Sequence, residues 1–178
     1  MYLKGDLVIL RDMIVSDIDD RIYWETIDTE WQNWDSPWEN GYGFNEREYR
    51  ELKLYDIKNI EKENIRYSFE ICINNEEETH IGWVSAYHID DNYLYTKDMG
   101  KFTIGIDIPN INYRNKGYGT EAWNLYIDYI LESGIGSIYT QTWSGNTPVI
   151  KLMEKLGFIE VDRKYFNREV KNMLYDSI

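Results

Sequence analysis

The chain has 178 residues, of which 43% are hydrophobic and 29% are charged, and its formal net charge at pH 7 is −13. This size and composition are typical of one globular domain, and they exclude a disordered chain or a scaffold that depends on disulfides. The negative charge disfavours nucleic acids and anionic membrane surfaces as partners and favours cations.

Negative charge and tryptophan are concentrated in the same part of the sequence. Residues 1–100 hold 10 Lys and Arg against 23 Asp and Glu, whereas residues 101–178 hold nine of each. Four of the seven tryptophans lie in the acidic part, within one stretch of fifteen residues: Trp24, Trp31, Trp34 and Trp38. We therefore expect the acidic part to meet a cationic ligand.

The first part of the sequence predicts one strand and two helices. A short apolar run predicts a strand over residues 5–11. Residues 17–30 and 45–64 predict helices, each beginning at a polar residue that can act as N-cap. The loop over residues 35–44 is acidic, aromatic and contains glycine, a composition that suits a mobile cover over a site.

Beyond residue 65 the apolar residues alternate with a period of two, which indicates strands. The predicted strands are 67–73, 81–89, 102–108, 137–143 and 158–166, the predicted helices are 118–133 and 147–156, and residues 169–177 predict a hairpin. Strands alternate with helices only in this second half. The order predicts an α+β fold in which one domain, residues 1–178, holds a mixed central sheet of about seven strands flanked by about four helices.

The sequence shows no feature typical of secretion, of a membrane span or of a metal site. The single cysteine, Cys72, cannot form an internal disulfide, and no run approaches the ~18 apolar residues of a spanning helix. The N-terminus lacks the long apolar core of a signal peptide. We expect a cytoplasmic protein with no membrane partner. His80 and His88 have no second ligand at metal-binding spacing, so we expect no metal.

The strongest local signal is the segment 104–122, IGIDIPNINYRNKGYGTEA. Gly117 and Gly119 stand between a predicted strand and a predicted helix, where glycine allows positive φ and close approach to a ligand. Successive N–H groups before a helix form an anion-binding nest, and Arg114 and Lys116 add positive charge. The spacing differs from the Walker and dinucleotide-binding loops. The segment suits a diphosphate; a glycine-rich turn with two solvated cations would give the same pattern.

A second signal covers residues 144–158, SGNTPVIKLMEKLGF. Asn146 follows a predicted strand and precedes a helix that has Pro148 near its first turn. Asn146 is therefore either the N-cap of this helix or a polar group that holds a ligand at the sheet edge.

Together the two segments resemble the GCN5-related N-acetyltransferase (GNAT) superfamily. Arg114, Gly117 and Gly119 match its acetyl-CoA signature, Gln/Arg-x-x-Gly-x-Gly/Ala, and Asn146 with the sequence KLGF at 155–158 matches its next motif. The predicted strand order matches too, so the resemblance spans nearly the whole chain. The opening, LVILR followed by SDIDDRIYW, is similar to the branch with ribosomal-protein N-terminal and aminoglycoside acetyltransferases. The match is specific for the superfamily and weak for the substrate.

The resemblance implies that acetyl-CoA is the co-substrate. Ile106 and Ile108 would lie along the pantetheine, where a backbone N–H would polarise the acyl carbonyl. Asn146 would bond the pantetheine arm. The diphosphate would lie against the loop and helix start formed by Arg114, Asn115, Lys116, Gly117, Tyr118, Gly119 and Thr120.

The reaction needs a base, because an amine with a pKa near ~10.4 must lose a proton before attack. Asp107, in the sequence Gly-Ile-Asp, is the first candidate catalytic residue, since aminoglycoside 6′-acetyltransferases have a catalytic acid at a similar place. A solvated or turn-capping carboxylate is the alternative interpretation. Glu70 is a second candidate, for which an exposed strand carboxylate is the simpler interpretation.

The departing thiolate needs a proton. Many family members supply it from a Tyr seven residues after the Asn, a position that Met153 holds here. A thiol with a pKa near ~8.5 is a fair leaving group without much help. Tyr139 is one candidate substitute.

The acceptor site is expected in the acidic part, because aromatic faces beside carboxylates suit an ammonium group. In the family, the first two helices and their loop line this site. We assign Trp24 and Trp31 to the core, and Trp34, Asp35 and Trp38 to substrate binding. The wider set of interleaved residues is Asp28, Glu30, Glu39, Tyr42 and Phe44.

The sequence thus predicts an acetyl-CoA-dependent N-acetyltransferase that acts on a primary amine by direct transfer. The acceptor is expected to be cationic: an aminoglycoside-like molecule, a polyamine, or a protein N-terminus or lysine. The alternative is a CoA-binding regulatory or scaffolding domain without catalysis, which Met153 keeps open. A homodimer is an option, because many relatives pair through their C-terminal strands.

Overall fold

The structure is a computed structural model that describes residues 1–38, 43–62, 64–165, 168–170 and 173–175. Its strands are β1 (Tyr2–Lys4), β2 (Val8–Arg11), β3 (Ser68–Ile73), β4 (His80–Ile89), β5 (Tyr95–Thr96), β6 (Lys101–Asp107), β7 (Arg168–Val170) and β8 (Met173–Tyr175). Its α-helices are α1 (Asp17–Thr26), α2 (Glu46–Asn59), α3 (Tyr118–Glu132) and α4 (Thr147–Lys155). Single 3₁₀ turns cover Glu30–Asn33, Ile60–Lys62 and Ile111–Tyr113. Among the helices of these residues, none is long and apolar enough to cross a membrane.

The central sheet has six strands. β1, β2, β3 and β4 follow one another as antiparallel neighbours, and β4 also pairs with β5 and β6. A single parallel bridge joins Thr103 of β6 to Tyr139. This arrangement confirms the predicted α+β class with four helices, and the number of strands is close to the predicted seven.

The N-terminal strand differs from its prediction, because residues 5–11 contain a turn. Three successive N–H groups, of Asp6, Leu7 and Val8, donate to the Glu121 carboxylate of α3 at 3.0, 2.7 and 2.7 Å. The carboxylate thereby satisfies a tight turn between β1 and β2. A residue more than a hundred positions away decides this turn, so the local apolar pattern could not indicate it.

The first helix ends earlier than the predicted residue 30. After α1 the N–H groups of Ile27 and Asp28 both donate to the Tyr23 carbonyl, which closes the helix. The chain then forms the 3₁₀ turn Glu30–Asn33, and the Trp31 indole N–H donates to the Trp24 carbonyl at 2.9 Å. The short turn carries the residues that follow toward the open end of the sheet.

The two later strand predictions, 137–143 and 158–166, are not formed as ladders in the described residues. Residues 137–143 make only the bridge at Tyr139, and residues 158–165 have no strand. Residue 166 lies outside the described residues. The predicted C-terminal hairpin corresponds to β7 and β8, which pair antiparallel.

The two faces of the sheet carry different side chains, because successive residues of a strand point to opposite sides. One face packs against α3 and forms the main core, with Phe69, Ile71, Val84, Phe102 and Ile104 against Trp123, Tyr126 and Ile130. On the opposite face, the register pairs Glu70 with Trp83 and Trp83 with Asp107. This second face lies toward α1 and carries the polar chemistry.

A second, smaller core consists of three tryptophans on that second face. Trp24, Trp31 and Trp83 are 6, 9 and 7% exposed. The Trp31 and Trp83 rings meet edge to face at 5.3 Å, and the Trp24 and Trp83 rings stack at 5.8 Å. The prediction that Trp24 and Trp31 belong to the core is confirmed.

Candidate active site

A gap lies beside the end of β6. The Ile104 N–H donates to the Tyr139 carbonyl and the Tyr139 N–H donates to the Phe102 carbonyl, both at 2.8 Å. Within the described residues, no further ladder bond joins these segments after Ile104. Because alternate residues direct their N–H groups to the same edge, Ile106 and Ile108 direct theirs into the gap. The gap is thus lined by backbone donors that an extended ligand can use.

The loop that follows ends in an anion-binding turn. Asn115 and Gly117 both have positive φ, 58° and 90°, and α3 begins directly afterwards at Tyr118. The first N–H groups of a helix have no carbonyl within the helix to bond, so those of Tyr118, Gly119 and Thr120 point outward at its positive end. This backbone geometry suits a diphosphate, and the assignment of the loop to diphosphate binding stays a prediction.

Gly119 lets this turn lie close to the gap. A Cβ added at Gly119 would meet Ile106 Cδ1 and Ile108 Cδ1 at 3.6 Å and Leu152 Cδ2 at 3.7 Å. These are ordinary van der Waals distances, so the start of α3 packs beside the end of β6 and α4. The predicted CoA-binding residues of β6 and of the loop therefore lie side by side.

The Arg114 side chain is directed back toward β6. Its Nε donates to the Ile108 carbonyl at 2.8 Å, its Nη2 to the Pro109 carbonyl at 2.5 Å, and its Nη1 to Glu30 Oε2 at 2.7 Å. Glu30 counters the charge of Arg114, whereas Lys116 of the same motif is exposed. Arg114 holds the loop against the strand end.

Asn146 is the N-cap of α4. It is 6% exposed, and its side-chain oxygen accepts the Val149 N–H at 3.4 Å. Lys155, at the other end of α4, donates to Thr120 Oγ1 at 3.3 Å. Lys155 is thus a second cation near the nest, which the sequence motif contained but which we did not single out.

Asp107 is the last residue of β6 and lies half-buried on the polar face of the sheet. The pKa of Asp107 is raised to about 8; burial is the largest cause, the negative charges of Asp35 and Glu25 add to the rise, and the positive charges of Arg21 and Arg114 oppose it. A carboxyl group with such a pKa can accept a proton from an ammonium group near neutral pH. Glu25 is a contributor that the sequence reasoning missed.

Glu70 is not the exposed strand carboxylate that the sequence suggested; that interpretation is wrong. It is 1% exposed and accepts two bonds from the Arg21 guanidinium, at 3.0 and 2.9 Å, and one from His80 Nε2 at 2.8 Å. Burial alone would raise the pKa of Glu70, but the charge of Arg21 and the bond to His80 outweigh it and lower the pKa to about 2. A carboxylate whose ionised form is so strongly stabilised binds a proton weakly and is therefore a poor base.

The imidazole of His80 lies among several carboxylates. Its Nδ1 bonds Asp20 at 2.9 Å and lies 3.6 Å from Asp17. The ligand atoms of Asp17, Asp20 and His80 lie within 4.8 Å of one another, but Asp17 also forms a two-bond ion pair with Arg11 at 2.6 and 2.9 Å. Arginine already supplies positive charge to this cluster. The expected absence of a metal stays a prediction.

The predicted acceptor residues are divided between two environments. Asp35 and Trp38 line a cavity of about 820 Å³, together with Tyr87, Tyr139, Trp143 and Met153. The Trp38 and Trp143 rings meet edge to face at 6.0 Å. Trp34 instead donates its indole N–H to Glu30 Oε1 at 2.8 Å. Phe44 packs against Tyr49, and Glu39 and Tyr42 lie outside the described residues.

Tyr87 is a further site residue that the sequence reasoning missed. Burial raises the pKa of Tyr87 to about 12, with Asp35 and Asp107 adding to the effect, and its hydroxyl donates to Gln141 Oε1 at 3.3 Å. The period of two in β4 could have indicated it, because Tyr87 shares a face with Trp83. Tyr87 and Tyr139 therefore place two phenol groups on the same cavity that Met153 lines. Met153 itself has no proton to donate.

A sheet edge left unpaired after Ile104 in the described residues, followed by a helix start whose first N–H groups have no partner within the helix, suits an acyl-CoA-dependent transferase. The sequence of residues 8–159 matches the family model described as "Acetyltransferase (GNAT) domain". The chain belongs to the GNAT acetyltransferase family and is an acyltransferase that uses acetyl-CoA.

Solved structures with the same fold share little sequence with this chain. An acetyltransferase of the GNAT family from Bacillus anthracis has a TM-score of 0.71 at 19% identity, over 99% of this chain and 95% of that one. Ribosomal-protein-S5-alanine acetyltransferase from Vibrio fischeri has a TM-score of 0.71 at 16% identity, over 99% and 92%. Spermidine N-acetyltransferase from Vibrio cholerae, in complex with CoA and spermine, has a TM-score of 0.68 at 17% identity, over 97% and 93%. At these identities the likeness shows the fold.

Proposed function

We propose that the chain, residues 1–178 acting as one domain, transfers an acetyl group directly from acetyl-CoA to the primary amine of a cationic acceptor. The single observation that carries this proposal is the position of Asp107. It ends the strand whose N–H groups face the gap, and it has a raised pKa beside further carboxylates.

The residues of the gap and of the nest fit a CoA group. Backbone N–H groups along β6 match an extended amide-containing arm, and the positive end of α3 matches a diphosphate. Acetyl-CoA supplies a thioester that an amine can attack. In this proposal Ile106, Ile108 and Asn146 orient the arm, and the backbone from Arg114 to Thr120 holds the diphosphate.

Asp107 accepts the proton that the ammonium group of the acceptor must lose. The nitrogen lone pair then forms the new carbon–nitrogen bond as the carbon–sulfur bond breaks, and the electron pair leaves with the sulfur. The nitrogen gives up its second proton in this step, and the thiolate gains one, so the protons balance. The N–H of Ile106 or Ile108 stabilises the carbonyl oxygen while it carries negative charge. Tyr87 and Tyr139 stand on the cavity wall as the phenols that can return a proton to the sulfur.

The acceptor is proposed to be cationic because negative charge surrounds Asp107. Asp35 and Glu25 both act on its pKa, and Asp35 and Trp38 line the adjacent cavity. A polyamine, an aminoglycoside-like amine, and a protein N-terminus or lysine all satisfy this chemistry. The similarity to a structure that holds spermine and to one named for the S5 alanine supports both small and peptide amines.

The proposal is tested by measuring release of the CoA thiol with a panel of amines: spermine, spermidine, an aminoglycoside, and peptides with a free N-terminus or lysine. We expect at least one cationic amine to accelerate thiol release from acetyl-CoA. Binding of acetyl-CoA without acceleration by any amine would favour the non-catalytic scaffold that Met153 left open. If the wild-type protein binds no acetyl-CoA, and Gly117→Val changes no binding or activity, the proposed CoA site itself is contradicted.

A further inference from the structure

The turn at Glu30–Asn33, with Trp34 directly after it, contacts both segments that bound the gap. Arg114, in the loop after β6, donates to Glu30 Oε2 at 2.7 Å. Trp143, at the end of the segment that faces β6, donates its indole N–H to the Trp34 carbonyl at 2.9 Å. We call the residues Glu30, Trp34, Arg114 and Trp143 the clasp. It joins two chain segments that are separated from the turn by 84 and 109 residues.

Glu30 lies at the centre of the clasp, because its two oxygens accept hydrogen bonds from two different segments, the CoA loop and the predicted acceptor segment. Oε2 accepts from Arg114, the first residue of the CoA motif, and Oε1 accepts from the Trp34 indole at 2.8 Å. Trp34 immediately precedes Asp35, which acts on the pKa of Asp107. One carboxylate therefore connects the CoA loop to the wall of the acceptor site.

Arg114 extends the connection to the strand end that carries Asp107. Its other two bonds go to the carbonyls of Ile108 and Pro109, the first two residues after Asp107. The Arg114 side chain is 19% exposed, so these bonds are largely protected from water, whereas the Glu30 side chain is 45% exposed. The guanidinium is firmly held, and Glu30 is the less restrained partner.

We propose that Glu30 is a positioning residue through which occupancy of the CoA site orders the acceptor wall, a coupling that rests on the proposed function. A ligand bound to residues 115–120 limits the motion of the loop that carries Arg114, and the Arg114–Glu30 ion pair passes that restraint to Trp34 and the adjoining Asp35. Binding of CoA then includes the free-energy cost of ordering the acceptor wall. The amine acceptor, binding afterwards, does not bear this cost and so binds more tightly.

The coupling can be measured without knowing the acceptor, by hydrogen–deuterium exchange of the full chain with and without CoA as the probe. In the wild type we expect CoA to slow exchange in peptides over residues 113–121 and also in peptides over residues 28–36. In Glu30→Gln the first protection should remain and the second should fall by about threefold or more. Glu61→Gln, at an exposed glutamate in another 3₁₀ turn, is the matched control and should behave as the wild type.

Trp34→Phe gives a second, independent reading, since it removes only the indole donor and keeps an aromatic ring. It should lower the protection of residues 28–36 and leave that of 113–121 intact. With the best acceptor of the amine panel, Glu30→Gln should raise the acceptor KM about threefold at nearly constant kcat.

The outcomes separate this coupling from the proposed function. Equal protection of residues 28–36 in the wild type and in Glu30→Gln would overturn it, and so would an unprotected 28–36 segment in the wild type. If CoA fails to protect residues 113–121 in the wild type, the proposed function is overturned, and the coupling with it. A Glu30→Gln protein that does not fold leaves Trp34→Phe to decide.

Discussion

Asp107 is placed where one group decides both the rate and the pH dependence of the reaction. Because burial is the main cause of its pKa near 8, the carboxylate becomes tenfold scarcer with each pH unit below that value. We expect kcat/KM for an amine acceptor to rise with pH up to about 8. In Asp107→Asn it should be lower by about 10²–10⁴-fold and should follow only the amine's own titration.

The measurement is a set of kcat/KM profiles between pH 6 and 9 for the wild type and for Asp107→Asn. Asp128→Asn, at an exposed position of α3, is the matched control and should keep the wild-type profile. Full activity of Asp107→Asn across this range would show that another group, or water alone, takes the proton.

Gly82 is the residue that lets β4 approach the end of β6. A Cβ added at Gly82 would lie 2.1 Å from the Asp107 carbonyl oxygen and 3.1 Å from Ile108 Cα. Backbone must therefore move in Gly82→Ala, and Asp107 moves with it. We expect kcat to fall by about 10–100-fold, since a displacement near 1 Å at a reacting group has effects of this size.

The comparison for this change is Gly136→Ala, because an added Cβ at Gly136 meets no atom within 4 Å. Steady-state kinetics of both variants with the same acceptor give the ratio directly. An unchanged kcat in Gly82→Ala would mean that the strand ends can separate without disturbing the base.

At the scale of elements, α1 is held to β3 and β4 by a buried charge network. Arg21 pairs with Glu70, and His80 bonds both Glu70 and Asp20. The Arg21 guanidinium also stacks on the Trp83 ring at 3.5 Å from its centre. This network positions Trp83, which is paired with Asp107 in the sheet.

The network predicts how stability changes with pH. Burial would lower the pKa of His80, but its bonds to Asp20 and Glu70 outweigh this and raise it to about 9. The resulting stabilisation is complete below about pH 6.5, the unfolded pKa, and is lost as the pH rises through 9. We expect the free energy of unfolding to fall by about 1–3 kcal/mol over this range.

Urea unfolding at several pH values between 6 and 10 measures this loss. His80→Asn should be less stable than the wild type at pH 6 and should show a much smaller fall with pH. His88→Asn, on the same strand, should retain the wild-type fall. An equally steep fall in His80→Asn would assign the pH dependence to other groups.

The two interpretations of Asn146 can be separated, because α4 needs an acceptor and the proposed pantetheine contact needs a donor. Asn146→Asp keeps a good N-cap but replaces the amide donor with a carboxylate. We expect it to keep the thermal midpoint and to weaken acetyl-CoA binding about tenfold. Asn146→Ala should weaken binding and also destabilise the protein by about 1 kcal/mol.

Calorimetric titration of acetyl-CoA and thermal unfolding of the two variants give both quantities. Tight binding by Asn146→Asp would mean that Asn146 acts only as the cap of α4. Loss of stability in both variants would mean that the amide makes a structural bond beyond the cap.

Local signals predicted the parts of the site that are local in origin. Gly117 and Asn146 could be assigned from the sequence, because a positive-φ turn and an N-cap depend on neighbouring residues alone. The ion pair of Arg114 with Glu30 and the burial of Glu70 could not, since both depend on which strands and turns become neighbours. Apolar and polar residues alternate over 137–143 as in a strand. In the structure, however, Trp143 donates to the Trp34 carbonyl, and this end of the segment does not pair with β6.

At the scale of the whole molecule, the net charge divides along the chain as the site does. Residues 1–100 carry the whole excess of negative charge, and Asp35 and Glu25 from this part act on Asp107. Residues 101–178 are neutral and contribute the nest at the start of α3. An anion site and a cation-attracting cavity can therefore lie next to each other in a protein of charge −13.

The last prediction follows from this division, because attraction over more than about 10 Å is screened by salt. For the best amine acceptor, we expect kcat/KM to fall by about tenfold between 20 and 500 mM NaCl, and the fall to be smaller in Asp35→Asn. The matched control is Asp98→Asn, which removes one negative charge from an exposed position of the same acidic part. Equal salt dependence in all three proteins would show that the acidity serves solubility, because then no single carboxylate near Asp107 attracts the acceptor.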